Sequence, residues 1–428
     1  MSGISSRLRF GLAAWILLVC GPVPRLTGSE SSAPLPTSAQ TQATEFPLGT
    51  ATPSEECGAC HQAIYKEFAF GFGADLKFQG MVYRSGREAR LVLPTNVAPG
   101  STAHSAAGVD PFPIHARDVE EQGRSCNVCH YPQPFAIPSI DTPEIAKPQA
   151  RPKDQEVTGL TCASCHLTPD GKIRGPHEAE APHSTVADPS MRTAAMCAYC
   201  HGAGKRVVGK QTQTFLEWRE DFSKPGLGRQ ECQDCHMPRT VRKTAENFDV
   251  PARAVARHLW TGGHSAQRMG NSLSLVLVQP WKKQSGFELH VINIGAGHSV
   301  PTGSSRRGIY LKADVADSKG EMLATREWLF APWYGNRPDD RAYLDEDKKR
   351  PDAVAAMQAD SQGPHEPPIR AGDERVLTWA PPLKFGTYTF RARLVFDLNR
   401  YNDPSFIEDQ TAIAERMLSF DVGDKPEK

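Results

Sequence analysis

The sequence predicts an α+β multidomain chain: a loop-rich, mainly short-helix domain followed by an antiparallel β-sandwich. Three observations carry that reading. One motif, Cys-x-x-Cys-His, occurs five times: Cys57-Gly-Ala-Cys60-His61, Cys126-Asn-Val-Cys129-His130, Cys162-Ala-Ser-Cys165-His166, Cys197-Ala-Tyr-Cys200-His201 and Cys232-Gln-Asp-Cys235-His236. Between Pro99 and Leu259 no four consecutive residues are Val, Ile, Leu or Phe, while Pro and Gly are frequent. From Ser272 onward the chain changes to β-branched and aromatic runs separated by turn residues.

In chain order, residues 1–28 read as a signal peptide. Arg7 and Arg9 precede an apolar run from Phe10 to Val19 that is too short to span a bilayer comfortably. Cys20 ends that run, but Leu17-Leu18-Val19 lacks the small residue expected before a lipidated cysteine. Cleavage near Gly28 is therefore preferred over a lipid anchor at Cys20 or an uncleaved leader. No other segment is apolar enough to cross a membrane, so membrane association is expected only through the N-terminus. Residues 29–55, rich in Ser, Thr, Ala, Pro and Gln, read as a disordered linker.

Residues 56–270 hold all five motifs and ten of the eleven cysteines. Cys-x-x-Cys-His is the attachment site of c-type haem. The two thiols add to the haem vinyl groups, and the adjacent His binds iron from the proximal side. Zinc ribbons pair their cysteine knuckles without a His after every second Cys. A thioredoxin-type motif occurs once, near a βαβ pattern. A disulfide scaffold spaces its cysteines less regularly. The expected cofactors are thus five covalent haem c groups, bound by Cys57, Cys60, Cys126, Cys129, Cys162, Cys165, Cys197, Cys200, Cys232 and Cys235. The proximal ligands are His61, His130, His166, His201 and His236. Five macrocycles would supply the apolar surface this region lacks, with short helices and long loops wrapped around them. First cysteines at 126, 162, 197 and 232 are nearly evenly spaced, while Cys57 stands apart.

Residues 271–428 read as the sandwich. Seven strand-like segments, 272–278, 287–294, 308–317, 322–330, 375–380, 388–398 and 416–422, follow without an intervening helix. Such a run favours two packed antiparallel sheets. A charged, proline-containing stretch from Asn336 to Glu374 reads as a long loop.

The formal net charge is zero. The propionates of five haems would add up to roughly ten negative charges, some neutralised by Arg and Lys. Nothing points to nucleic-acid binding. The expected partners are redox proteins.

Second axial ligands decide the chemistry. An iron with His on both faces only relays electrons, whereas an open face can bind a small molecule. Of fourteen histidines, nine lie outside the motifs. His290 falls mid-strand and His365 in the charged loop, both read as structural or solvated. The leading distal candidates are His258, His264, His298, His183 and His115, with His104 and His177 as further candidates. His258 and His264 flank a Gly pair that would aim them at different irons. His115 opens an expected helix reaching Cys126. His298 lies in the glycine-rich Asn293–Gly303 segment after a strand, where glycines permit close backbone approach to a flat partner. The competing reading for each is a surface His bonded to a propionate or to solvent.

The chain resembles the multihaem cytochromes of the cytochrome c554 type. The residues that carry the resemblance are the first motif with Ile64-Tyr65, Gly159–His166, Glu231–Pro238, the His258–His264 segment and Gly297–Gly303. The resemblance covers about residues 55 to 330. It implies periplasmic or extracellular electron transfer through closely stacked haems. Some relatives act on small nitrogen or sulfur compounds, and some cytochromes of this kind form filaments. Relatives often carry a His about a dozen residues after the first motif. Here Glu67–Asp75 has none, so the first haem is expected to use His104 or His115, or to stay open. All five motifs end in His, unlike the Cys-x-x-Cys-Lys of pentahaem nitrite reductases. Electron transfer through mostly bis-His haems is thus preferred over catalysis. The alternatives are an oxidoreductase with an open iron, first sought at the first haem, and a filament subunit.

Overall fold

The computed structural model describes residues 52, 54–70, 115, 129, 132–140, 160–202, 214–263, 265–278, 286–303, 307–331, 366–398, 400 and 410–423. The expected leader, Cys20, nearly all of the linker, His104, Cys126, His130, His264, His365 and most of the 336–374 loop lie outside these residues. So does the helix expected after His115, which itself sits in a turn.

The first half consists of short elements, each built around a motif. Helix α1 (Ser54–Gly58) carries Cys57, and α2 (Gln62–Phe70) follows directly. Helices α3 (Cys162–His166), α4 (Ala195–His201) and α6 (Cys232–His236) each end on a motif histidine. Between α4 and α6 runs α5 (Thr214–Trp218), which continues as a π-turn through Arg219–Ser223. One helical turn puts Cys i and i+3 on the same side, so both thiols can reach one partner. These turns are too short to persist by propensity alone. They are held by caps and by neighbours. The Thr161 amide donates to Ser164 Oγ at 2.9 Å, and the Glu231 amide to Asp234 Oδ2 at 2.9 Å. Arg174, almost fully buried, donates from Nε to the Cys165 carbonyl at 3.0 Å and from Nη2 to the Leu167 and Phe135 carbonyls.

Two small sheets join these helices. Strands β1 (Ile173–Gly175) and β2 (Thr185–Ala187) pair in parallel. Strands β3 (Arg239–Arg242) and β4 (Arg253–Ala256) form an antiparallel hairpin. Sequence reading did not anticipate them, because three or four residues are too few to show a period.

After α7 (Ala266–Gly270) the chain is all strand: β5 (Leu273–Val278), β6 (Phe287–Asn293), β7 (Gly308–Asp317), β8 (Met322–Phe330), β9 (Glu374–Trp379), β10 (Gly386–Asp397) and β11 (Gln410–Val422). Every expected strand segment overlaps one of these. The last begins earlier than the sequence suggested, because its alanine-rich start shows little alternation. The strands form two open antiparallel sheets, ordered β11-β10-β7-β8 and β5-β6-β9. Alternate residues of β6 and β10 are buried, as one-sided burial of a sheet requires. Leu275, Leu289 and Val291 of one sheet share a buried cluster with Ile309, Leu311, Phe390 and Leu394 of the other. Phe287 stacks on Phe390 at 4.0 Å between ring centroids. Burying each such side chain contributes about 1.5–3 kcal/mol, so this cluster is the main protein core. The motif region has a much smaller cluster of Ala194, Ala198, Phe215 and Trp218. The chain is therefore a loop-rich α+β protein with its apolar packing concentrated in the C-terminal sheets.

Candidate haem-binding sites

The described motif cysteines are all free and partly buried. Thiols of different motifs meet. Cys57 hydrogen-bonds Cys162, Cys129 contacts Cys200, and Cys197 hydrogen-bonds Cys232.

The histidines form four facing pairs. Ring centroids are 6.4 Å apart for His61 and His183, 6.2 Å for His201 and His115, 6.3 Å for His166 and His258, and 6.2 Å for His236 and His298. A first-row metal bonds imidazole nitrogen at about 2.0–2.1 Å, and the ring centre lies about 1.1 Å further on, so two axial rings on one ion stand about 6.3 Å apart. All four pairs match that separation, and each joins a motif histidine to one outside the motifs.

Hydrogen bonding fixes the rings in the same sense. Nδ1 of His61 donates to the Thr244 carbonyl at 2.7 Å, that of His166 to Arg174 at 2.9 Å, and that of His236 to Thr261 at 2.6 Å. His258 Nδ1 donates to Ala256 at 3.1 Å, and His298 Nδ1 to Ser299 at 2.9 Å. With Nδ1 carrying the proton, Nε2 keeps its lone pair for a metal. Burial favours the neutral form of six of the paired rings. It pushes His201, His258 and His298 down to about 4 and lowers His166, His183 and His236 as well. Neutral imidazole is the ligating form, so all four pairs fit an iron centre in spacing, five of the rings in tautomer and six in charge.

The partners differ from the sequence expectation at the first motif. His183, not His104 or His115, faces His61, and His115 faces His201 instead. Spacing along the chain could not reveal either pair, because each is closed by tertiary packing over more than eighty residues. His177 is exposed and stands in none of the four pairs. His290 lies mid-strand beside Glu374, 2.6 Å from its Oε1, in keeping with a structural role.

Residues that sequence reading missed hold the ligands in place. Glu67 of α2 is fully buried. It accepts from Arg242 at 2.9 and 2.7 Å, from Arg257 Nε at 2.9 Å and from the His258 amide at 2.9 Å. Burial opposes its ionisation, but these four donors outweigh it and hold the carboxyl below its ordinary value. Glu217 of α5 accepts from Thr302 Oγ1 at 2.7 Å and the Ser299 amide at 3.3 Å. Asn293 Nδ2 donates to the His298 carbonyl at 2.8 Å. Around His298 the glycines do permit close approach. A Cβ on Gly297 would lie 3.1 Å from the Phe222 ring, and one on Gly295 would collide with the Asn271 carbonyl.

Four motif turns that each set a histidine opposite a second imidazole, together with the family match, define a multihaem c-type cytochrome, a protein of electron transfer. A family model described as outer membrane cytochrome MtrC/MtrF-like, domains II/IV, matches residues 38–212. Among solved structures, a penta-heme cytochrome c552 from Thermochromatium tepidum superposes with a TM-score of 0.51 at 17% identity, covering 87% of this chain and 100% of that one. The C-terminal domain of wzt covers 36% of this chain and 76% of its own, at 10% identity and a TM-score of 0.20. The putative ApaA protein from Bordetella pertussis covers 35% and 90%, at 14% identity and 0.17. No curated protein matches the chain.

Proposed function

We propose that the chain is an exported relay of five haem c groups whose irons are each closed by two histidines. The four facing imidazole pairs are the observation that carries this reading. His61, His201, His166 and His236 act as proximal ligands, with His183, His115, His258 and His298 opposite them. The second motif keeps His130. We assign its distal ligand to His264, the leading candidate of the sequence that the four pairs leave unused.

Bound haem supplies reversible one-electron chemistry. The chain's part is to hold neutral imidazoles in fixed tautomers and to exclude small molecules from the irons. The thiol contacts support an order in which the first site adjoins the third, and the fourth adjoins both the second and the fifth. The C-terminal sheets, read as one β-sandwich, are then more than an appendage, since His298 leaves β6 to complete the fifth site. Among the described residues no helix is long and apolar enough to cross a membrane. The signal-like N-terminus and the outer-membrane name of the matching family support a periplasmic or extracellular relay between redox proteins. Catalysis at an open first iron is disfavoured, because His183 already faces His61.

Electron paramagnetic resonance of the oxidised, fully loaded protein tests the proposal. Five low-spin haems per chain and no carbon monoxide binding after reduction are expected. A stoichiometric high-spin signal, or a haem count other than five, would overturn it.

A further inference from the structure

Trp260 is the only non-glycine residue with positive φ among the described residues, at +44°. A bulky side chain seldom holds that conformation, and it persists only where its surroundings over-determine it. The surroundings here are two of the facing pairs. The indole lies 4.5 Å from His115 and 5.3 Å from His258, edge-on at 90° to the latter. Phe68 closes a further side at 5.6 Å. His115 faces His201, and His258 faces His166, so one indole braces the outer rings of two different sites. The neighbouring backbone serves two more contacts. The His258 amide is held by Glu67, and the Thr261 carbonyl accepts from His236 Nδ1. The turn at Trp260 lets His258, Trp260 and Thr261 meet three sites. An extended residue there would carry the chain past them.

We infer that Trp260 is a shared positioning residue that sets the ring planes of the distal histidines of the third and fourth haems. This rests on the bis-histidine reading above. The angle between two axial ring planes governs the splitting of the iron d orbitals, so rotation of either distal ring moves the g values of its haem. Through Trp260 the third and fourth haems become coupled, and one substitution reaches both.

The test uses the full-length, haem-loaded protein. W260G removes the ring while tolerating the positive φ, W260L fills part of the volume without an aromatic plane, and W260F retains one. Haem content is counted by pyridine haemochrome, and oxidised spectra and midpoint potentials are recorded. In W260G two low-spin signals should shift in g value, with the corresponding two potentials moving and the other three unchanged. W260F should return both signals towards wild type. If W260G fails to load haem, W260L should show the same two shifts. Spectra of loaded W260G or W260L that superimpose on wild type would overturn the inference, as would shifts spread over all five haems. Failure of the bis-histidine reading is distinguishable, because it shows as high-spin or otherwise ligated iron in the wild-type protein itself.

Discussion

Replacing Glu67 with Gln keeps the shape of the side chain and removes its charge. In the native protein the carboxylate has no solvent exposure, and Arg242 and Arg257 are 13% and 29% exposed at their side chains. Taking one partner from a buried ion pair leaves the other charge uncompensated, which costs about 3–5 kcal/mol. Arg242 loses a bidentate partner, and its partial burial places the expected loss near the lower end, about 3 kcal/mol. That is roughly a hundredfold in the unfolding equilibrium. The same change leaves one acceptor oxygen for donors that shared two, so the hold on the His258 amide weakens and the third haem should respond. Loss of a nearby negative charge disfavours its ferric form and raises its midpoint potential. The sign of the pH dependence also follows. The folded carboxyl lies below its unfolded value, so its contribution is complete above about pH 4.3 and is lost as pH falls through the folded value. Chemical denaturation of the haem-loaded protein, followed by Soret absorption and far-ultraviolet dichroism, measures the loss. The double variant E67L/R242M should recover part of it, since an apolar pair leaves no orphaned charge on Arg242. An E67Q unfolding free energy within about 0.5 kcal/mol of wild type would refute the reasoning, because surface charges behave in that way.

Three further outcomes are expected. His298→Ala should convert one haem to a high-spin, carbon monoxide-binding form and leave the haem count unchanged, as read by magnetic resonance and reduced-state spectra. Phe390→Ala, which removes a ring with no solvent exposure from the stack on Phe287, should cost about 3–5 kcal/mol in denaturation of the C-terminal sheets. Arg174→Met should destabilise the third motif turn by leaving the Cys165, Leu167 and Phe135 carbonyls without their donor, measured as a lowered thermal midpoint of the holoprotein.

What was legible in the sequence was local. A strand such as β10 declares itself by alternation, and a motif turn by its cysteine spacing. The four facing pairs are not local. His183 reaches His61 because β1, β2 and the β3–β4 hairpin fold the first and third motif regions together, and no period or spacing along the chain encodes that. His183 ranked ahead of the exposed His177, six residues before it, but nothing in its neighbours pointed to His61. Glu67 sits in an aromatic-rich run whose missing histidine drew notice, yet its carboxylate is the anchor of the His258 amide. Only the meeting of α2 with β3 and β4 makes that role visible.

Glu217 provides a counterpart to Glu67, and the two make a sharper test together than either alone. Both are buried glutamates next to a distal histidine segment, but their environments differ in kind. Glu67 is met by two guanidinium groups. Glu217 is met by a hydroxyl and an amide, and burial therefore raises its carboxyl above the ordinary value. A carboxyl raised on folding binds its proton more tightly in the native state, so its contribution is complete below the unfolded value, is lost as pH rises through the folded value and stays lost at neutrality. E217Q removes that charged-state penalty and can still accept from Thr302 or Ser299. It should leave stability at pH 7 equal to or above that of wild type, with the gain shrinking as pH falls through the raised folded value and absent below about pH 4.3. E67Q should do the reverse, with a loss that is largest at neutrality and smallest in acid. The same atomic substitution thus carries opposite signs at two sites in one molecule. Unfolding free energies of both variants from about pH 2 to pH 8 would show it. Parallel curves would mean that the guanidinium groups around Glu67 do not set its charge state, and the account of how His258 is held would fall with them.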